Sequence, residues 1–242
     1  MIRSALTALP LALALPLAAQ AADLAPFEPA PAPLDETGFY VSAFGGASFF
    51  NEYDSVLTGA PAGQTVEIDF DTGFNLGAAV GYDFGNLGGF IGYRAELELS
   101  YYQADVDSIA FSGNGPALEI NVDGDVSTTN IIANVYGDLE VDPSGFFTPY
   151  LGVGLGVAFT DVDAVYGANV NVDGDEESLI AQAIAGVNFD VHENVDLFAE
   201  GRYARIFDVE STRVNPNNGD IGFLDDDVDI LSVNVGVRFN FY

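Results

Sequence analysis

From Thr37 onward the chain alternates large apolar and polar residues with a period of two, the side-chain period of a β-strand. Eight such segments are present. The first runs from Phe39 to Phe50 and sets Phe39, Val41, Ala43, Ala47 and Phe49 on one face. The second runs from Ile68 to Phe84; Ile68, Phe70, Phe74, Leu76, Ala78, Val80 and Tyr82 share a face, opposed by Asp69, Asp71, Asn75, Gly77, Gly81 and Asp83. In the third, "IGYRAELELSYY", Ile91, Tyr93, Ala95, Leu97, Leu99 and Tyr101 face one way, and Arg94, Glu96, Glu98 and Ser100 the other. A helix would scatter those charges around its axis, whereas a strand collects them on one side. The fourth, Thr129 to Leu139, sets Ile131, Ala133 and Val135 against Asn130, Asn134, Tyr136 and Asp138. The fifth, "PYLGVGLGVAF", sets Leu151, Val153, Leu155, Val157 and Phe159 against Tyr150, Gly152, Gly154 and Gly156. The sixth opposes Leu179, Ala181, Ala183, Ala185, Val187 and Phe189 to Gln182, Gly186 and Asn188. The seventh opposes Leu197, Ala199 and Tyr203 to Glu200 and Arg202. The eighth, "SVNVGVRFNFY", sets Val233, Val235, Val237, Phe239 and Phe241 against Ser232, Asn234, Gly236, Arg238 and Asn240.

Connections alternate in length. Short ones, "GNLGG", "EVDPSGF" and "DVHENVD", join segments two to three, four to five and six to seven; long ones span Asn51 to Glu67, Gln103 to Val126, Thr160 to Ser178 and Ile206 to Val228. Short turns therefore fall at one end of the sheet and long loops at the other. A soluble barrel would turn the apolar face inward, and a membrane barrel turns it outward to lipid. The apolar faces are free of charge through their centres, and Arg205 is the only cation in outward phase, near a loop. Because Arg at the bilayer midplane costs about 2–4 kcal/mol, this absence fits lipid exposure. Aromatics at segment ends, Phe39, Phe49, Phe70, Tyr82, Phe84, Tyr101, Phe159, Phe189 and Phe241, match interfacial girdles.

The start of the chain agrees with export. "MIRSALTALPLALALPLAAQA" has an early Arg3, an apolar run and an Ala-Gln-Ala end, which reads as a signal peptide over 1–21 cut before Ala22. Residues 22–36 read as a Pro-rich extended leader, and residues 37–242 as the barrel. No Cys is present, so neither disulfides nor thiolate chemistry is available. Lys is absent as well. The net charge of −31 makes nucleic acid and anionic surfaces unfit partners through the protein's field, while 49% apolar residues argue for a folded body over disorder.

"PYLGVGLG" at Pro149 to Gly156, "FAEGRY" at Phe198 to Tyr203, the Arg and Glu residues on the polar faces and the terminal "GVRFNFY" resemble the small outer-membrane β-barrels of Gram-negative bacteria, the OmpA-type and opacity-protein-like group. That resemblance covers nearly all of the mature length. It implies an all-β fold, an eight-stranded antiparallel up-and-down transmembrane β-barrel, with outer-membrane lipid and lipopolysaccharide around it. It also implies that the barrel assembly machinery reads the last strand through Val233, Val235, Val237, Phe239, Phe241 and Tyr242 as an insertion signal. Here the alternating set ends on Phe241, leaving Tyr242 one residue out of phase.

Eight strands leave an interior just wide enough for side chains. Its expected charged occupants are Arg94, Glu96, Glu98, Asp138, Glu200, Arg202 and Arg238, which can pair and so avoid isolated buried charge. The reading is a salt-bridged plug, with a narrow solute path eased by Gly152, Gly154 and Gly156 as the alternative. "NVDGD" occurs at Asn121 to Asp125 and Asn171 to Asp175, and its Asp123, Asp125, Asp173 and Asp175 are weak candidates for a hard cation; both copies read more simply as Asp-Gly hairpin turns. The acid excess is consistent with a saline habitat, where ions screen the repulsion. The sole His192 sits in a short turn without a nucleophile partner, so no catalytic residue and no cofactor is expected. The expected function is a structural or surface-interacting outer-membrane monomer acting through acidic loops that bind a surface ligand, with a small-solute porin as the alternative.

Overall fold

The computed structural model describes residues 37–51, 53–56, 58–59, 65–86, 90–112, 118–121, 123–141, 146–166, 170–215 and 220–241. The expected signal peptide, the leader and Tyr242 lie outside them. Twelve strands form: β1 (Gly38–Phe50), β2 (Tyr53–Val56), β3 (Thr58–Gly59), β4 (Thr65–Phe70), β5 (Gly73–Asn86), β6 (Ile91–Ser112), β7 (Leu118–Asn121), β8 (Asp123–Leu139), β9 (Phe147–Tyr166), β10 (Val170–His192), β11 (Val195–Asn215) and β12 (Asp220–Phe241). Eight of them close a ring in the order β1, β12, β11, β10, β9, β8, β6, β5 and back to β1, every pair antiparallel. The expected eight-stranded up-and-down barrel is therefore the fold. Closure gives each of these eight strands a partner on both sides, which is the condition for crossing a bilayer with strands.

The outward faces are those read from the alternation. Leu97, Val135, Leu155, Val235 and their neighbours stand exposed, while Arg94, Glu98, Asn134, Glu200 and Arg202 are buried inside. Phe39 packs edge-on against Tyr82, and Phe147 against Phe189, among the aromatics of one rim. In the opposite rim Phe74 meets Tyr101.

Three expectations need correction. Segment two is not one strand: the chain leaves strand geometry at Asp71 and Thr72, and β4 pairs with the outer part of β6 and with β2, apart from β5. A Cβ at Gly73 would meet the Gln103 carbonyl at 2.2 Å, so the chain can approach β6 this closely only at a glycine. Phe70 consequently turns inward onto Phe50, with ring centroids 5.6 Å apart, instead of joining the outward face.

Second, the long connections are mostly strand. β9 and β10 stay paired up to Tyr166 and Val170, and β11 and β12 up to Asn215 and Asp220. Third, neither "NVDGD" copy is a hairpin turn. Asp123 to Asp125 lies in β8, where Gly124 opposes Ala164 of β9, and Asn171 to Asp175 lies in β10, where Gly174 opposes Val162. Pairing with β9 holds both segments extended, which overrides the local Asp-Gly turn preference.

Candidate functional site: the filled lumen

Each lumen residue is placed by strand register. Arg94 of β6 lies opposite Tyr136 of β8, so Asp138 is its diagonal neighbour, and the pair closes bidentately at 2.6 and 2.8 Å. Arg202 of β11 reaches across the barrel. Its Nη1 donates to both oxygens of Glu98 at 2.8 Å, and its Nε donates to Glu200 Oε1 at 2.7 Å. Arg238 of β12 lies 3.6 Å from Asp196, whose Oδ2 also accepts from Asn240 Nδ2 at 2.9 Å. All three guanidiniums are buried, each against aromatic rings. Arg94 sits 4.7 Å from the Tyr136 ring centroid and 5.1 Å from that of Tyr150, Arg202 4.0 Å from Phe44, and Arg238 4.9 Å from Tyr40.

Glu96 is held differently. Its oxygens accept from Tyr40 Oη at 3.0 Å, Tyr136 Oη at 2.5 Å and Asn134 Nδ2 at 3.2 Å. No guanidinium forms an ion pair with it among the described residues. Asn134 Nδ2 also donates to Glu98 at 2.8 Å, and Tyr150 Oη to Glu200 at 2.8 Å. Seven residues expected in the lumen thus converge in one network. Sequence reasoning missed Asp196, Tyr40, Phe44 and Phe198; the last three fall in inward phase of their segments, and Asp196 lies in the short connection "DVHENVD".

The glycines of the inner wall do not leave room. Tyr40, Phe44, Tyr136, Tyr150 and Phe198 each lie over the glycine directly opposite on the neighbouring strand: Gly81, Gly77, Gly152, Gly186 and Gly236. A Cβ would come within 2.2 Å of Tyr40 at Gly81 and 2.4 Å of Tyr136 at Gly152. The missing side chain is what lets a large ring lie flat across the wall. At Gly154 and Gly156 the space belongs to Asn134 and to the β8 backbone. The space beside Gly152, Gly154 and Gly156 is thus taken by Tyr136, Asn134 and the β8 backbone.

Toward the extracellular end the inward face changes character. Phe50, Ile132, Ile180, Ile206, Val209 and Ile230 form a buried apolar cluster joined by Tyr102 and Val126. This cap over the polar network went unseen in the sequence, because inward positions were taken as polar throughout.

Outside the barrel, Arg205 donates to both Asp229 oxygens at 2.6 Å, beyond the Tyr203 and Leu231 level. Those bonds hold the Asp229 carboxyl below its ordinary range. Cross-strand register also lines up Asp105, Asp125, Asp163 and Asp173 on four adjacent strands, with Asp161 facing Asp175. Asp123 lies one outward position beyond Asp125. No three acidic or histidine side chains converge as a metal centre among the described residues. His192 ends β10 exposed at the tight turn into β11. On β12 the outward Val233, Val235, Phe239 and Phe241 are exposed beside Val237.

Comparison with known proteins agrees with this architecture. An uncharacterized protein of Brucella suis is 29% identical over 225 residues, covering 78% of this chain and 76% of its own. Among solved structures, the outer membrane protein OprG from Pseudomonas aeruginosa aligns with a TM-score of 0.56 at 15% identity, over 85% of this chain and 96% of that one. The outer membrane protease OmpT from Escherichia coli aligns with a TM-score of 0.56 at 8% identity, over 84% and 97%, a likeness of fold alone. Residues 7–239 match the outer membrane protein beta-barrel domain. The chain belongs to that family, and its location is the bacterial outer membrane.

Proposed function

We propose that the protein is a closed, structural barrel that acts through its surface, presenting rigid acidic β-hairpins for adhesion or recognition, and that it does not conduct solutes. The observation that carries the reading is the filled lumen: a network of buried charges and aromatic rings, capped by a buried apolar cluster. A solute would have to separate Arg202 from two carboxylates and then cross a dry apolar layer. Above the membrane, β9 to β12 continue as paired strands, so their acidic residues are held on a frame instead of a loose loop. The partner fitting such a face is positively charged or reached through cations, and it is not nucleic acid.

Ion conductance of the purified protein in a planar lipid bilayer tests this. Stable insertion without current is the expected result. Discrete steps whose size or selectivity changes in Glu96→Gln and Glu98→Gln would replace it with the small-solute porin. We further propose that the barrel assembly machinery reads the outward face of β12. Phe241→Ser should then slow assembly in cells while leaving refolding into vesicles intact; equal losses in both would refute it.

A further inference from the structure

Glu98 and Glu200 share the guanidinium of Arg202, and Glu96 has no ion-pair partner among the described residues. Glu96, Glu98 and Glu200 are all buried, and one guanidinium serves both Glu98 and Glu200. Arg94 is committed to Asp138 and Arg238 to Asp196. With half-buried Asp83 near Arg94 and Arg238, six lumen carboxylates therefore face three guanidiniums. Hydrogen bonds from Tyr40, Tyr136 and Asn134 stabilise Glu96 without neutralising it. A surplus of buried negative charge is unstable unless something positive joins it.

A second, independent feature lies at the same place. Gln182 is buried, and its Nε2 is fixed by two acceptors, Asn134 Oδ1 at 2.8 Å and Glu98 Oε2 at 3.4 Å. Turning the amide over would set oxygen against both acceptors, so the remaining amide atom is an oxygen. That Oε1 has no hydrogen-bond partner, and neither has the buried Ser100 Oγ, two residues from Glu98 on the same strand face. Asn134 Nδ2, shared by Glu96 and Glu98, keeps the two carboxylates within the span of two hydrogen bonds. Surplus carboxylate charge and orphaned neutral oxygens together make a ligand set for a hard cation.

We propose that the lumen binds a small hard cation, of the Na⁺ or Ca²⁺ class, between Glu96, Glu98 and Gln182 Oε1. The site is a structural one, and it goes beyond the surface-acting reading: a silent barrel and a conducting barrel could both hold it.

The test is thermal unfolding of the full protein, purified from outer membranes, in choline chloride, NaCl or CaCl₂ at matched ionic strength. Choline screens surface charge equally but is too large for this interior. The melting temperature should rise by several degrees in NaCl or CaCl₂ over choline. Glu96→Gln should melt higher than wild type in choline and lose the cation-specific rise, whereas Asp125→Asn, on the outer face, should keep it. Equal melting in all three salts would overturn the proposal, as would a cation-specific rise that survives Glu96→Gln. A protonated-carboxyl infrared band at neutral pH that vanishes in Glu96→Gln would also overturn it, since a proton would then supply the positive charge. If Glu96→Gln fails to fold, Gln182→Leu decides in the same salts: a weakened cation response supports the site, and an unchanged one refutes it.

Discussion

Arg202 is the residue whose loss should cost the barrel most. Its guanidinium binds Glu98 and Glu200 at 2.7–2.8 Å and lies 4.0 Å from the Phe44 ring centroid. Arg202→Met keeps the length of the side chain and its packing on Phe44, yet strands two buried carboxylates. Removing one partner from a buried ion pair costs about 3–5 kcal/mol, and two stranded acids place this variant at the upper end. A domain's whole stability is about 5–15 kcal/mol, so the loss is a large share of it. The control is Arg202→Met with Glu98→Gln and Glu200→Gln, which replaces the charges by neutral groups of similar shape and should recover most of the loss. Urea unfolding in lipid vesicles, followed by tyrosine fluorescence because the chain has no Trp, measures all of them. A single variant within about 1 kcal/mol of wild type would mean that water reaches the guanidinium, as at a surface pair. A triple variant as unstable as the single would mean that packing, and not charge, was lost.

Leu155 stands exposed midway along β9, and Leu155→Arg should cost about 2–4 kcal/mol and lower the yield of inserted protein. Gly152→Ala places a Cβ 2.4 Å from Tyr136, and overpacking of this kind costs about 1–3 kcal/mol; unfolding midpoints equal to wild type would show that the ring can move freely. Asp125 lies directly opposite Asp105 on the neighbouring strand, and like charges so placed are destabilising, so Asp125→Asn should stabilise by about 0.2–1 kcal/mol at low salt and by less as salt is added. Asp229 has its carboxyl lowered from an ordinary 3.8 by Arg205, so its contribution is present above that value and is lost as pH falls through the depressed one. The stability difference between wild type and Asp229→Asn should accordingly be constant at neutral pH and vanish only in strong acid; a difference that disappears near neutrality would contradict this assignment.

The membrane-spanning part of the barrel was readable because lipid imposes one rule on every strand. Leu97, Leu99 and Tyr101 against Glu96, Glu98 and Ser100 can be satisfied only with lipid on one side and a packed lumen on the other. Partners inside the lumen were less readable. Arg94 with Asp138 follows from one cross-strand diagonal, but Arg202 with Glu98 joins residues 104 positions apart across the barrel. That contact depends on closure and strand stagger, which no single segment encodes. The glycines misled for a related reason. Gly152 opposite Tyr136 means a gap if read alone and a filled gap if read with its partner.

What hid the extracellular half is an inversion of polarity along continuous strands. In β11, Tyr203 points out to lipid and Arg202 points in; a few residues on, Arg205 points out and Ile206 points in. In β12 the same reversal separates outward Leu231 and inward Ser232 from outward Asp229 and inward Ile230. β8 repeats it, with outward Ile131 giving way to Asp125 and inward Asn130 giving way to Val126. The period of two carries across this boundary while the solvent changes, and on β11 it slips only farther out, between Ile206 and Val209. Within the bilayer the exterior must be apolar and the interior may be polar if paired. Beyond it the exterior meets water, and the interior regains the ordinary advantage of apolar burial, about 25 cal/mol per Å². On β6 and on β8 to β12 the strands therefore continue as those of a soluble barrel, stacked on a membrane one. A search for apolar outward faces alone ends each strand at this boundary and mistakes the remainder for loop. Reading the phase at which polarity inverts finds the boundary itself: between Tyr203 and Arg205 on β11, and between Leu231 and Asp229 on β12.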